Sequence, residues 1–443
     1  MHTLSVTESI PSIDDTIATL TRHTERFGVP MDYDRMLEYE AYYDIKAYRL
    51  KSKILAYTGR TNISPEDLKP EVFKGILKDL NVRTGLLSTA KGEVSLGSES
   101  LEAAINTGLY PEETNEILQM YIQAGKASKI VGMFNKVYAN NPIAKELTYD
   151  KHRMIITHPI WAPQNTGRIG AREPGIMNFS KEVHDIFTVP EGYTYIEIDS
   201  GQIEPRIIQS AYLGDEVLKK CTMLYNDAYF GYIHYCKFLT DYERYGGAVI
   251  NLKPIEITDE MKALRKKFKT FGNATMYGST ENTLNDPDKA AFIKYIGGHP
   301  SRLKWVKQIE AQLDRGVRIF TSAFGTPVDI TKGPSDANYD KGSNAYYKHL
   351  VKCAINNPIQ STGADLMRYS VRQADALLAA KAPKSYILQY VHDAGKFAVH
   401  EDDYSNVIDE LKEITAYQVD NWIPIYAEAE EGVNPVNIPR FVI

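Results

Sequence analysis

The first 140 residues carry apolar side chains at a spacing typical of amphipathic helices. Helices are predicted over residues 15–60, 64–82, 99–107 and 112–138. In the second of these, Ser64 is the candidate N-cap, and one apolar stripe runs through Val72, Ile76 and Leu80. The N-terminal third of the chain is therefore expected to be helical.

Beyond residue 152 the pattern changes to short apolar runs broken by proline and glycine, which indicates strands and loops. Residues 194–199 alternate between apolar and polar side chains, with Ile196 and Ile198 on one side, and predict a strand. Residues 386–400 predict two strands joined by a tight turn with the sequence His-Asp-Ala-Gly. Two strand-forming segments thus lie far apart in the chain.

Helical spacing returns between these two segments. Residues 216–345 are predicted to be helical, and residues 364–381 predict a helix that begins at Ser361 or Thr362. Strands separated by long helical insertions indicate a mixed α/β (α+β) fold rather than an all-helical one.

The amino-acid composition excludes few classes of protein. A chain of 443 residues with 43% hydrophobic residues can bury a sizeable core. The net charge of −6 is a weak argument against nucleic-acid binding, because a local basic groove, not the mean charge, supplies phosphate contacts. Cys221, Cys236 and Cys353 lack metal-ligand spacing, so buried thiols in a reducing compartment are expected and a zinc site is not. With no membrane-length apolar run and no targeting pattern, a cytoplasmic location is expected.

Two aspartates occupy the ends of predicted strands. Asp199 ends the first strand, and Asp393 lies in the turn of the hairpin. Two such carboxylates, brought side by side, can hold two divalent cations that activate a hydroxyl nucleophile and stabilise a leaving pyrophosphate. An isolated aspartate at a strand end is more commonly a turn or cap residue, so the flanking residues decide.

Five segments, two of which contain these aspartates, follow one another in an order that is rarely met by chance. They are Thr166-Gly167-Arg168 with Asn178 after it, DSGQIEPR (199–206), LRKKFKTFGNATMYGS (264–279), INNPIQSTGADLM (355–367) and QYVHDAGKF (389–397). Together they resemble family A (DNA polymerase I-like) DNA polymerases, in which the second, third and fifth segments are motifs A, B and C. The resemblance covers roughly residues 25–443 and is firm after 150.

The resemblance implies a right-hand polymerase fold with a palm sheet, helical fingers and a helical thumb, without an exonuclease domain. The expected division is an N-terminal helical segment packing on palm and thumb (1–75), thumb (76–150), palm with motif A (151–215), fingers with motif B (216–345) and palm with motif C (346–443). The first 70-odd residues are too short for a proofreading domain.

The implied activity is template-directed DNA synthesis, a nucleotidyl transfer from dNTPs to a primer 3′-hydroxyl without intrinsic proofreading. Two Mg²⁺ ions, with Mn²⁺ as an alternative, are implied at Asp199, Asp393 and the backbone carbonyl of Ser200. The implied partners are primer–template DNA, dNTPs and a separate exonuclease or processivity factor, with no membrane. The implied setting is the cytoplasm of a bacterial or infected host cell, the latter for a phage enzyme.

Further roles follow from the resemblance. Arg265 and Lys269 lie four residues apart on a helix for which Thr258 and Asp259 are candidate N-caps, and they are expected to bind the triphosphate, with Lys269 also catalytic. Glu204 is expected to pack beneath the sugar and exclude a 2′-hydroxyl. The other substrate-binding residues are Tyr277, Gln202 and Asn273, and the DNA-binding residues are Arg168, Asn356, Gln360, His392, Lys126 and Lys129.

The sequence also departs from the family pattern. Ser200-Gly201 stands where the family has Tyr-Ser, and Pro205 replaces leucine. Asn273 replaces an aromatic residue that meets the sugar, and Ala394 replaces the motif C glutamate. The departures affect sugar packing and outer charge, and so bear on rate and sugar discrimination more than on reaction type.

Two alternatives remain. One is a single-subunit RNA polymerase, which shares the Lys…Tyr-Gly-Ser pattern but lacks the glutamate of Gln202-Ile203-Glu204. The other is a polymerase-derived DNA-binding subunit with little catalysis, against which the presence of both Asp199 and Asp393 argues.

Overall fold

The computed structural model of the chain describes residues 1–82, 95–140, 154–244, 256–276, 287–333 and 339–432. The helices are α1 (Ile13–Phe27), α2 (Tyr33–Tyr57), α3 (Pro70–Asp79), α4 (Ser98–Asn106), α5 (Glu112–Asn140), α6 (Ile203–Ile207), α7 (Glu216–Tyr225), α8 (Ala228–Arg244), α9 (Asp259–Met276), α10 (Pro287–Phe292), α11 (Pro300–Asp314), α12 (Asn344–Lys381) and α13 (Glu401–Lys412). The strands are β1 (His2–Leu4), β2 (Val29–Asp32), β3 (Met154–Thr157), β4 (Ile160–Pro163), β5 (Ile169–Arg172), β6 (Tyr193–Ser200), β7 (Ile319–Thr321), β8 (Pro327–Asp329), β9 (Tyr386–Val391), β10 (Ala394–His400), β11 (Tyr417–Val419) and β12 (Ala427–Gly432).

A four-stranded antiparallel sheet lies at the centre, in the order β12-β6-β10-β9. The predicted strand and hairpin are confirmed as β6 and as β9 with β10, and the hairpin turns at His392-Asp393. Ile196 and Ile198 both face the core and are fully buried, as the alternation predicts. β12 was not predicted from the sequence.

The prediction of one helix over 15–60 was wrong. α1 ends at Gly28, whose φ of 71° lies in the left-handed region that favours glycine. Strand β2 follows, and α2 then begins where the Asp32 carboxylate accepts a hydrogen bond from the backbone N–H of Arg35 (2.9 Å). The proposed cap Ser64 precedes a short 3₁₀ turn and makes no capping hydrogen bond with its side chain.

The helix predicted over residues 364–381 is present as α12, but it begins twenty residues earlier than predicted. α12 begins after Ser343, whose hydroxyl accepts a hydrogen bond from the N–H of Tyr346 (3.1 Å). It continues through Pro358, a residue type that normally interrupts a helix. Pro358 is buried, so tertiary packing holds the helix through it, and Thr362 lies inside the helix instead of starting it.

The range 216–345 is also not purely helical, because β7 and β8 form a hairpin within it. On the N-terminal side, α1 packs against α12 and β9, while α2 packs along α5. Residues from the end of α2 through α5 share an apolar cluster of their own, separate from the core around the central sheet. Within the described ranges, no helix combines the length and the hydropathy that crossing a membrane would need.

The thiols are partly as expected. Cys221 and Cys236 are buried, and burial raises the pKa of the Cys221 thiol to about 12. Cys353, expected to be buried, is partly exposed on α12, because its turn of the helix borders a cavity.

Candidate active site

The strand register brings the two predicted metal-binding aspartates together. Asp199, near the end of β6, pairs directly with Ala394, the residue after Asp393. The Ser200 N–H donates to the backbone carbonyl of Asp393 (2.9 Å), which fixes the end of β6 against the hairpin turn. Two segments separated by almost two hundred residues thus meet at one end of the two central strands.

The buried carboxyl groups of Asp199 and Asp393 favour a bound positive charge. Burial, the neighbouring Asp393 and then Glu428 raise the pKa of Asp199 to about 7. Burial likewise raises the pKa of Asp393. One carboxylate oxygen of Asp199, Oδ1, is buried without a hydrogen-bond partner. Two desolvated carboxylates, one of them with an unpartnered oxygen, supply the hard oxygen donors that a divalent cation requires, so the residues fit such an ion.

No group of three or more His, Cys, Asp or Glu side chains in the described ranges converges closely enough to hold a metal by itself. A Mg²⁺ ion here would therefore complete its shell with water or substrate oxygens, as Mg²⁺ commonly does.

Glu204, predicted at the sugar, and Arg168, predicted at DNA, contact each other. The Arg168 guanidinium donates to the Glu204 carboxylate at 2.6 Å (Nη2 to Oε1), and both side chains are mostly buried. Arg168 lies in the turn between β4 and β5, and Glu204 lies in α6, within motif A. His392 lies nearby, and burial followed by the positive charge of Arg168 lowers its pKa. These three residues converge beside the aspartate pair.

Asp227 links motif A to motif B and was missed by the sequence reasoning. Its carboxylate caps α8, accepting from the N–H of Tyr229 and of Phe230 (both 2.9 Å). The same carboxylate accepts from the amide of Gln202 (2.7 Å) and from the Arg265 guanidinium (2.8 Å). Its signal in the sequence was an aspartate directly before the apolar helix α8.

On the motif B helix, the predicted N-cap Thr258 is confirmed, since its hydroxyl accepts from the N–H of Met261 (3.3 Å). Lys269 is exposed one turn beyond Arg265, and no carboxylate in the described part of the chain pairs with it. The side chain of Asn273 and the whole of Tyr277 lie outside the described residues.

Two predicted DNA-binding residues face a cavity of about 710 Å³ between α12 and the β4–β5 turn. Asn356 and Gln360 line it from α12, with Asn356 Oδ1 buried and unpartnered. The cavity is also lined by Gln164, Asn165, Thr166, Lys332, Gly333, His349, Lys352, Cys353 and Asn357. Lys126 and Lys129 are exposed on α5 and do not line this cavity, and Lys126 pairs with Glu102 at 3.5 Å.

A buried ion pair on α12 contacts the turn that carries Arg168. Asp365 is fully buried and pairs with Arg368 one turn later. Arg368 also donates to the backbone carbonyls of Gly167 (3.2 Å) and Pro11 (3.0 Å). The available signal was an aspartate and an arginine three residues apart, Asp365 and Arg368, on a predicted helix.

Comparison with known proteins agrees with this geometry. The DNA polymerase family A profile matches residues 34–435. DNA polymerase I of Aquifex aeolicus is 28% identical over 52% of this chain and 36% of its own length. DNA polymerase I of Caldicellulosiruptor bescii is 21% identical over 93% of this chain and 45% of its own length. The chain thus spans less than half the length of these relatives.

Among solved structures, the POL domain of Pol1 from M. smegmatis, in complex with DNA primer–template and dNTP, matches with a TM-score of 0.72 and 18% identity. The match covers 96% of this chain and 69% of that one. This shared fold confirms the predicted mixed α/β polymerase architecture. With the family profile matching across most of its length, the chain belongs to DNA polymerase family A.

Proposed function

We propose that the chain synthesises DNA on a template, joining dNTPs to a primer 3′-hydroxyl in the 5′→3′ direction. The observation that carries the proposal is the meeting of Asp199 and Asp393 at the end of β6, in the order of segments that the family uses. The M. smegmatis polymerase domain with this fold is bound to primer–template and dNTP, which supports the same ligands here.

We propose that Asp199, Asp393 and the backbone carbonyl of Ser200 hold two divalent cations, Mg²⁺ or Mn²⁺. When bound, such ions activate the primer hydroxyl and stabilise charge on the leaving pyrophosphate. Asp199 lies on β6 and Asp393 in the turn that leads into the adjacent strand β10, so the pairing of β6 with β10 fixes their separation. The unpartnered Oδ1 of Asp199 supports a ligand role rather than a structural one.

Arg265 and Lys269 are proposed to bind the incoming triphosphate from α9. They lie one helical turn apart, so both point to the same side of the helix. Asp227 holds the guanidinium of Arg265 at 2.7 Å, which orients the side chain before substrate arrives. Lys269 is exposed and lacks a described carboxylate partner, so its ammonium is available to a phosphate and to charge that develops during transfer.

Glu204 is proposed to exclude ribonucleotides. Its carboxylate is fixed by Arg168 and lies five residues beyond Asp199, near the place where the sugar of a bound nucleotide belongs. A site that rejects an added hydroxyl through a fixed polar group can discriminate strongly. Arg168, Gln202, Asn356, Gln360 and His392 are proposed to contact the primer–template near the reacting end, and Lys126 and Lys129 to contact duplex phosphates from α5.

The test is a primer-extension assay with templates that present each of the four bases, supplied with dNTPs or rNTPs and Mg²⁺. The proposal predicts incorporation that follows the template base and requires dNTPs. Glu204→Ala should raise the kcat/KM for a ribonucleotide relative to its deoxy analogue, with Glu71→Ala, at an exposed glutamate on α3, as the control. Template-independent addition, or preferred use of rNTPs by the wild-type chain, would refute the proposal.

A further inference from the structure

Asp199 is flanked on both sides within the sheet. Ala394 of β10 pairs with it on one side, and Glu428 of β12 pairs with it on the other. Residues directly paired across antiparallel strands project to the same face of a sheet. The side chains of these three residues therefore form one row, with Asp199 in the middle and Glu428 at the strand on the edge.

One departure from the family pattern lies in this row, and a second lies next to it. Ala394 removes the carboxylate that the family carries in motif C. Gly201 replaces serine in motif A, and a Cβ atom at that position would lie 2.8 Å from Oε1 of Glu428 and 3.2 Å from the backbone carbonyl of Tyr426. The absence of a side chain at Gly201 therefore leaves room for the Glu428 carboxylate beside Asp199.

We propose that Glu428 supplies, from β12, the outer negative charge that the family places at position 394. The inference rests on the proposed function, because it assigns Glu428 to the same metal site. Asp199, Asp393 and Glu428 do not converge tightly enough to hold one ion directly. Glu428 therefore acts through water and through its charge, as outer carboxylates around a metal do. It is exposed, and no ion pair within the described ranges neutralises it.

The chain offers a matched control two residues along the same strand. Glu430 is exposed like Glu428, and its side chain projects to the same face. It pairs with Glu197, one row further from the aspartates. Loss of charge at Glu430 should therefore leave the metal site unchanged, although the chemical change is identical.

The experiment measures binding of Mn²⁺ alone to the full chain, from the electron paramagnetic resonance signal of free Mn²⁺. Glu428→Gln should weaken Mn²⁺ binding about tenfold, in the range typical of outer-shell residues. Glu430→Gln should bind as the wild type does. Asp199→Asn should abolish this binding. Gly201→Ser should also weaken binding, because its side chain displaces the Glu428 carboxylate.

Restoring the missing carboxylate is the sharper test. Ala394→Glu combined with Glu428→Gln should regain at least half of the lost affinity on a logarithmic scale, since position 394 flanks Asp199 on its other side. If Asp199→Asn abolishes binding while Glu428→Gln stays within twofold of wild type, the role of Glu428 is overturned and the metal site stands. If Asp199→Asn leaves binding unchanged, the proposed metal site itself is refuted, and the inference falls with it.

Discussion

The buried pair Asp365–Arg368 should dominate the stability of the segment that carries Arg168. The Asp365 carboxylate accepts hydrogen bonds from the hydroxyls of Ser322 and Thr326 and from Arg368. Burial raises the pKa of Asp365 and lowers that of Arg368, even though each partner opposes the shift of the other. Desolvation therefore outweighs pairing for both groups, and the pair is stable only while both members are present.

Asp365→Asn keeps the shape of the side chain but leaves the Arg368 guanidinium buried among neutral acceptors. Removing one member of a buried ion pair costs about 3–5 kcal/mol in the free energy of unfolding. The control is Asp375→Asn on the same helix, where the partly exposed carboxylate pairs with the exposed Arg22 at 2.7 Å and contacts the His23 ring at 3.0 Å. An exposed pair contributes at most about 1 kcal/mol, so the control should be far milder.

The assay is urea denaturation followed by tryptophan fluorescence, since Trp422 contacts Phe324 near the β7–β8 hairpin. Arg368→Met and the double variant complete a thermodynamic cycle. Each single variant leaves the other charge buried without its partner, whereas the double variant removes both charges. The loss in the free energy of unfolding of the double variant should therefore be smaller than the sum of the two single losses by about 2 kcal/mol. Effects that add within about 0.5 kcal/mol, or an Asp365→Asn cost no larger than that of Asp375→Asn, would refute this reasoning.

Two other outcomes follow from the structure. A maleimide should label Cys353 but not the buried Cys221 or Cys236. Bound primer–template should slow the labelling of Cys353, because the duplex would cover the cavity that Cys353 lines. Equal labelling rates with and without DNA would place the duplex elsewhere. Burial alone would raise the pKa of Asp215, but hydrogen bonds from His299, the N–H of Leu218 and Tyr235 lower it from 3.8 to about 2. The stabilisation by the Asp215 carboxylate is therefore complete above pH 4 and is lost as the pH falls towards 2. Asp215→Asn should lower the free energy of unfolding by about 2 kcal/mol at pH 7. In the variant, the free energy of unfolding should also fall less steeply between pH 4 and pH 2.

The elements predicted well were those with local signals. The alternation in β6 and the tight turn of the β9–β10 hairpin depend only on neighbouring residues. The Thr258 cap likewise sits next to the helix that it starts. These local elements carry Asp199 and Asp393, so both members of the central pair could be identified from the sequence.

The features that were missed depend on contacts far apart in the chain. β12 is rich in glutamate and alanine, which have low strand propensity, and it forms only because it pairs with the edge of β6. α12 runs through Pro358 because the surrounding core overrides a local helix-breaking signal. The contacts of Asp227 with Gln202 and Arg265 join three separate segments, and no local pattern encodes them.

Asp199 and Asp393 are proposed to form the catalytic metal site of a DNA polymerase. The most direct measurement is the single-turnover rate of one dNTP incorporation by Asp199→Asn, with primer–template affinity measured on the same preparation and the surface variant Asp402→Asn as control. The predicted result is a rate lower by about a thousandfold, equivalent to about 4 kcal/mol, with DNA affinity and the control unchanged. An Asp199→Asn rate within about tenfold of wild type would contradict the account.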